Sequence, residues 1–198
     1  MAELPRFLIL TVMTVFVGLC SHSVFALSLN APKSKAPQDK LADGLAVSYY
    51  LYEIFNHVDE FAHRSPEDGE KGPPLLVVNY HTGYDNVLTS PTDDGVGAHI
   101  SGYIHLAKSG TYQFAFESND GVRLHLNGEF VLEDPDVHAD QFSEVVNVEV
   151  ATAGWYPITI WYFEKRNTST LRLYWREPGA APDSDMEIVP GKALRHVP

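Results

Sequence analysis

Two short stretches carry the side chains best suited to chemistry. In "SNDGVRLHLNGEFV", residues 118–131, the trio Asn119, Asp120 and Gly121 stands directly ahead of an alternating strand. Nothing in the hairpin that follows requires that trio. Adjacent Asx side chains hydrogen-bond the backbone of a tight turn, which is the ordinary reading of Asn-Asp-Gly. The other reading is a loop that holds a ligand. A few residues on, "EDPDVHADQ" sets Asp134, Asp136, His138 and Asp140 at alternate positions, a spacing that can line oxygens along one side of an extended chain. It lacks the glycine and distal glutamate of an EF-hand loop, and a charge run of this kind is ordinarily a solvated loop.

Other chemistries find less support. Nine histidines invite a zinc site, but His99 and His105 lie far apart on one strand and His125 on another, with no cysteine or close His pair beside them. Cys20 is the single cysteine and falls in the N-terminal apolar segment, so the chain beyond it has no disulfide and no thiolate nucleophile. Catalysis needs a nucleophile with its base, or two carboxylates facing across a cleft. The acidic residues form no such pattern, and the chain reads as a non-enzyme. A net charge of -12, from 14 basic and 26 acidic residues, excludes a nucleic-acid backbone as partner, because phosphate recognition needs clustered Lys and Arg.

The N-terminus reads as a secretory signal peptide over residues 1–26. Arg6 precedes an apolar run from Phe7 to Leu19, and "SVFA" offers small residues for cleavage after Ala26. The run is short for a membrane span, and no later segment is apolar enough to be one. Leu19 is bulky where a lipobox has a small residue, which argues against lipidation at Cys20. The mature protein is therefore expected to be secreted or periplasmic.

Strands must position the loops named above. Residues 27–43 are polar and proline-punctuated and read as a flexible lead-in. "GLAVSYYLYEIF" reads as a strand, "HRSPEDGEKGPP" as a surface loop and "LLVVNY" as a short apolar strand. From His99 onward the alternation is clear. Ile100, Ile104 and Leu106 oppose His99, Ser101, Tyr103 and His105; Tyr112, Phe114 and Phe116 share a face; Val122, Leu124 and Leu126 oppose Arg123 and His125. "VVNVEV", "YPITIWY" and "LRLYW" continue the pattern, which places Trp175 in the core, with Trp161 on the opposite parity. Asn127-Gly128 predicts a type I′ hairpin. Short antiparallel strands at this spacing make an all-β antiparallel sandwich or partly closed barrel. Residues 180–198 read as a proline-containing tail that covers an edge or hangs free.

Four segments, in order, carry a resemblance: "GLAVSYY", "ISGYIHLAKSGTYQFAFESNDGVRLHLNGEFV", "TAGWYPITIWYFEK" and "STLRLYWREPG". Together they resemble the anthrax protective-antigen domain family, found in flocculins, epithelial adhesins and bacterial glycosidases. The resemblance covers residues 44–179 and implies a β-sandwich of that type. In the family's sugar-binding members two consecutive aspartates, joined by a cis peptide, ligate a calcium ion that in turn holds vicinal sugar hydroxyls. Asp120 matches the second of these; Asn119 stands where the first would be and keeps an oxygen but not the charge.

The literal Asp93-Asp94-Gly95 does not match, because it precedes no alternating strand and Asn-Gly turn in the family's order. The resemblance also points to the loop from Lys165 to Ser169, where the family places its second group of ligand and sugar contacts, and so to Lys165 and Asn167. Asn167-Thr168-Ser169 is in addition an N-glycosylation sequon. The expected function is a carbohydrate-binding module, with calcium held at Asn119 and Asp120 and a glycan or polysaccharide contacted by Asp134, Asp136, Asp140, Lys165 and Asn167. The alternative is an exported subunit that docks on another envelope or extracellular protein.

Overall fold

The structure is a computed structural model that describes residues 27–33, 37–181 and 183–198. The expected signal peptide and Cys20 lie outside these residues. Among the described residues, fifteen strands follow in chain order. The first five are β1 (Leu27–Leu29), β2 (Ala42–Asp43), β3 (Leu45–Leu51), β4 (Glu70–Leu75) and β5 (Asn79–Thr82). The long central strands are β6 (Val96–Leu106) and β7 (Gly110–Asn119), followed by β8 (Val122–Leu126), β9 (Glu129–Asp134), β10 (Gln141–Phe142) and β11 (Val146–Val150). Then come β12 (Gly154–Glu164), β13 (Ser169–Arg176), β14 (Glu187–Ile188) and β15 (Leu194–His196). Among the described residues there is no α-helix, only four single-turn 3₁₀ segments, and no helix is long and apolar enough to cross a membrane.

The strands form two sheets. One runs β1-β11-β7-β13-β14, with β5 also on β13 and β10 on β7; the other runs β2-β15-β6-β12-β8-β9, with β3 also on β6 and β4 on β3. Apart from the parallel pair β1–β11, the pairings are antiparallel. The two sheets stack as a sandwich and do not close into a barrel. Their facing sides hold one core, in which Ile100, Ile104, Phe114, Phe116, Leu124, Ile158, Ile160, Tyr162, Leu171, Leu173 and Trp175 are buried. This is what alternation requires, since successive side chains point to opposite faces. Trp161 and Phe163, of the other parity, pack on the outside of the second sheet against Tyr50, Phe55, Val58 and Phe61. That small cluster holds the segment 53–64 over the sheet.

Three sequence expectations change. "EKGPPL" is not loop but β4, which pairs only with β3 and so accommodates Pro73 and Pro74, neither of which can donate to a ladder. "LLVVNY" is divided: Leu75 ends β4 and β5 starts at Asn79. The lead-in begins with a strand, because Leu27–Leu29 adds to the edge of β11 and buries Leu29. It is tied down further where the Lys33 N–H donates to Asn127 Oδ1 at 2.6 Å and Asn127 Nδ2 donates to the Ala31 carbonyl at 3.0 Å. The tail supplies β14 and β15, and β15 lies between β2 and β6. Asn127 and Gly128 adopt φ of 57° and 78°, the left-handed pair that a type I′ turn demands.

Candidate functional site

Each connection that carries a singled-out residue crosses from one sheet to the other at the same end of the sandwich. Asp120–Gly121, directly after the terminal Asn119 of β7, links β7 to β8, Pro135–Asp140 links β9 to β10, and Lys165–Thr168 links β12 to β13. The segment holding Asp93 and Asp94 leads from β5 into β6 at that end as well, since Val96 pairs with Glu164 and Thr82 with Ser169. Chain topology, not sequence proximity, therefore assembles the apex.

At its centre the Asn119–Asp120 peptide is cis. The Tyr162 hydroxyl donates to the Asn119 carbonyl at 2.6 Å, inside the core. Asp120 N–H donates to Phe163 O at 3.2 Å, and Phe163 N–H donates back to Gly121 O at 3.0 Å. Asp120 is 3 % exposed. Its Oδ1 accepts the His138 N–H at 3.0 Å and its Oδ2 the Lys165 N–H at 2.8 Å. One carboxylate thus fastens two separate crossings. Burial raises its pKa, although both backbone hydrogen bonds favour the charged form.

Gly121 is hemmed in. A Cβ there would lie 2.4 Å from the Phe163 ring and 2.6 Å from the Pro135 carbonyl oxygen. Gly121→Ala is therefore expected to destabilise the protein by about 1–3 kcal/mol through overpacking, read as a lowered denaturant midpoint at unchanged slope.

Asn119 is 7 % exposed and donates through Nδ2 to Asp140 Oδ1 and to Thr168 Oγ1, each at 3.0 Å. Thr170 Oγ1 donates to the same Asp140 oxygen at 2.9 Å, and His81 Nδ1 stands 3.6 Å from the other. Asp134 turns to its own loop, accepting from Gln141 Nε2 at 2.8 Å with His138 Nε2 3.4 Å away. Asp136 is exposed and pairs through its backbone with His57; among the described residues no hydrogen bond joins its carboxylate to the apex. Lys165 contributes its backbone N–H, while its ammonium reaches out to Asn56 Oδ1 at 2.7 Å. Asn167, at φ 77°, donates its N–H to Asp94 Oδ1 at 2.6 Å. So the Asp-Asp-Gly segment set aside on the sequence does belong to this end of the molecule, as a brace for the Asn167 loop.

The residue that sequence reasoning missed is Glu164. It is fully buried, and neither carboxylate oxygen has a hydrogen-bond partner of normal geometry. Burial first, then the charges of Asp94 and Asp120, push its pKa up to about 8, with the nearby Gly95 N–H opposing slightly. The signal was present: Ile158, Ile160 and Tyr162 face the core, so parity sends Glu164 inward too. His99, His105 and His125, the histidines that invited a zinc site, lie elsewhere, each against an aromatic ring. His99 lies 4.3 Å from Trp161 and His105 stacks on Trp155 at 4.7 Å. Among the described residues no group of three or more His, Cys, Asp or Glu side chains is placed to hold a metal ion by itself.

Comparison with known proteins bears on the fold. Curated proteins offer no match. Among solved structures, a PA14 sugar-binding domain from an RTX adhesin is similar at 21 % identity and TM-score 0.59, over 78 % of this chain and 99 % of that one. The A domain of epithelial adhesin 9, subtype-switched to 1, from Candida glabrata and in complex with beta-lactose, is similar at 12 % identity and TM-score 0.62, over 87 % and 95 %. An anti-sigma factor domain-containing protein aligns at 19 % identity and TM-score 0.59 over 77 % of this chain, which spans 48 % of that protein. At these identities the structural likenesses establish the fold. The profile of the PA14 domain matches residues 77–188, more than half of the sequence, and the chain belongs to the PA14 domain family.

Proposed function

We propose that the protein is a secreted or periplasmic carbohydrate-binding module of lectin or adhesin type, which takes a glycan at the apex. The observation that carries this reading is the convergence of Asn119, Asp120, Asp140 and the Lys165–Asn167 loop at one end of the sandwich. Support comes from the relatives described as sugar-binding and as complexed with lactose. Sugars are recognised by paired hydrogen bonds to hydroxyls and by packing of the ring face on aromatic side chains. Two tyrosines stand ready at the rim. Tyr84 is 80 % exposed in the turn after β5, whose Thr82 hydroxyl meets Ser169 Oγ at 2.7 Å. Tyr52 is 77 % exposed, next to Glu53, whose N–H donates to Gly95 O. Tyr84→Ala is expected to weaken glycan binding roughly 3–10-fold, the worth of one aromatic contact, while leaving the melting temperature unchanged.

Calcium belongs to the proposal. It takes six to eight hard oxygens, and the donor set is of that kind: the Asp120 and Asp140 carboxylates and the Asn119 side-chain oxygen. Those residues would hold the ion, and when bound it would offer its open positions to two vicinal sugar hydroxyls.

A second reading, an exported subunit that docks on another envelope protein, is favoured by Phe142 and Val145, which are 62 % and 52 % exposed on and beside β10. A glycan-array screen of the protein, with Asp120→Ala in parallel, separates the two. The lectin reading expects defined glycan hits that the variant lacks. A blank array for the wild-type protein rejects that reading and favours protein docking.

A further inference from the structure

We propose that the outward face of the first sheet is a second glycan-binding surface, on which a neutral polysaccharide chain lies as it runs away from the apex. This inference rests on the glycan reading above. Alternation in β13 turns Leu171, Leu173 and Trp175 to the core and so sends Thr170, Arg172, Tyr174 and Arg176 outward. Register then sets them in rows across β7. Thr170 pairs with Asn119 at the apex, Arg172 with Glu117, Tyr174 with Ala115 and Arg176 with Gln113. On the other side of β7, Phe142 stands opposite Glu117 and Asn147 opposite Gln113. At about 3.4 Å per residue, the run from Asn119 back to Gln113 carries this face about 20 Å from the apex. That is room for several linked sugar rings.

The rows supply what a sugar chain needs. Tyr174 reaches across β7 to Glu117, whose Oε2 accepts its hydroxyl at 3.1 Å and Arg172 Nη1 at 2.9 Å. Its ring lies 5.4 Å from that of Phe142, which is 62 % exposed. The pair is a platform for the apolar face of a pyranose. Farther from the apex, Arg176 Nη1 donates to Gln113 Oε1 at 2.5 Å and Gln113 Nε2 to Asn147 Oδ1 at 2.9 Å. With Thr111 these side chains help to line a cavity of about 300 Å³, at the small end of the range for ligand sites. Arg172 is paired with Glu117, and the Arg176 guanidinium is taken up by Gln113 and the Ser184 carbonyl. Amide and hydroxyl groups, not free charge, are left to meet the ligand, which points to a neutral chain. The outside of the other sheet is covered by the cluster around Phe61, whereas no such cluster covers this face among the described residues. One ring pair set among amides is a small apolar centre for a protein interface, whose core is broadly apolar.

The test is an array of neutral glucans, galactans and mannans, each graded from disaccharide to long oligomer, with an apparent Kd read for every spot. Wild type, Phe142→Ala and Asn147→Ala are compared, and melting confirms that each variant folds. Long oligomers of a recognised sugar should bind the wild-type protein roughly 3–10-fold more tightly than the disaccharide, the worth of one aromatic contact. Phe142→Ala should remove that gain with length, and Asn147→Ala should reduce it. The backbone amide signals of Ala115 and Tyr174 should shift when a long oligomer is added and stay in place with the disaccharide. A wild-type protein that binds the disaccharide but gains nothing from length overturns the inference and leaves the apex reading standing. So does a gain that Phe142→Ala keeps in full, and the face is then open to a protein partner. An array blank for every glycan overturns the apex reading and the inference together.

Discussion

Asp120→Ala is expected to lower the melting temperature by roughly 6–12 °C and to abolish glycan binding. The stability loss follows from what the carboxylate holds. It accepts the His138 and Lys165 N–H groups, from two different crossings, while only 3 % exposed. Alanine leaves both amides without their acceptor, and charge-assisted hydrogen bonds of this kind contribute about 1.5–3 kcal/mol each. Relief of the carboxylate's own burial offsets part of that. A net cost of about 3 kcal/mol corresponds, for a domain of this size, to the stated shift in melting temperature. Asp120→Asn is a sharper comparison, because it preserves shape but replaces one acceptor oxygen by a donor that faces an N–H. It should lie between wild type and alanine. A melting temperature within 2 °C of wild type for the alanine variant would show that the two crossings are held by something else.

The second large effect concerns pH. Glu164 titrates near 8 in the folded chain against about 4.5 for the ordinary group. The folded state therefore binds more protons than the unfolded state between those values, and stability falls as pH rises through that window. Below about pH 4.5 both states are protonated and the residue contributes no slope; above about pH 8 the loss is complete. Glu164→Gln removes the ionisation and keeps the shape. Measured in EDTA, it should match the wild type near pH 4 and exceed it by a few kcal/mol at pH 8.5. His99, whose pKa burial lowers to about 4, acts in the opposite sense, losing stability as pH falls from about 6.5. It is present in both proteins, so the wild-type-minus-variant difference isolates Glu164. A difference that does not grow between pH 5 and 8 would mean that the carboxylate has found a partner or a solvent path.

Much of the sandwich was legible because its strands are half-buried. β7, β8, β12 and β13 announce themselves by alternation, and parity assigned Trp175 to the core, where it is 5 % exposed. Strands recruited by their neighbours were not legible. β4 carries two prolines, β1 is three residues at an edge, and β15 is held by pairing with β6 and β2. None has a periodic signal of its own.

The site divides in the same way. Asn119, Asp120 and the 165–168 crossing could be picked out because a resemblance fixed their order. The contact between Asn119 and Asp140 could not, since it spans 21 residues and depends on two crossings lying side by side. Asp136 and Asp140 look equivalent by alternation, yet one pairs with His57 at the surface and the other faces Asn119. Glu164 was passed over because an acid at the end of a strand is ordinarily taken as solvated, whereas here the loop carrying Asp93 and Asp94 lies beside it.

The central claim is that the apex binds sugar through a calcium ion. Its most direct test is the glycan array run on the protein twice, once with calcium and once with EDTA. The account predicts defined glycan hits with calcium that disappear with EDTA and return when calcium is restored. Hits of equal strength in both conditions would contradict the role given to the ion, and silence in both would contradict the binding of glycan altogether.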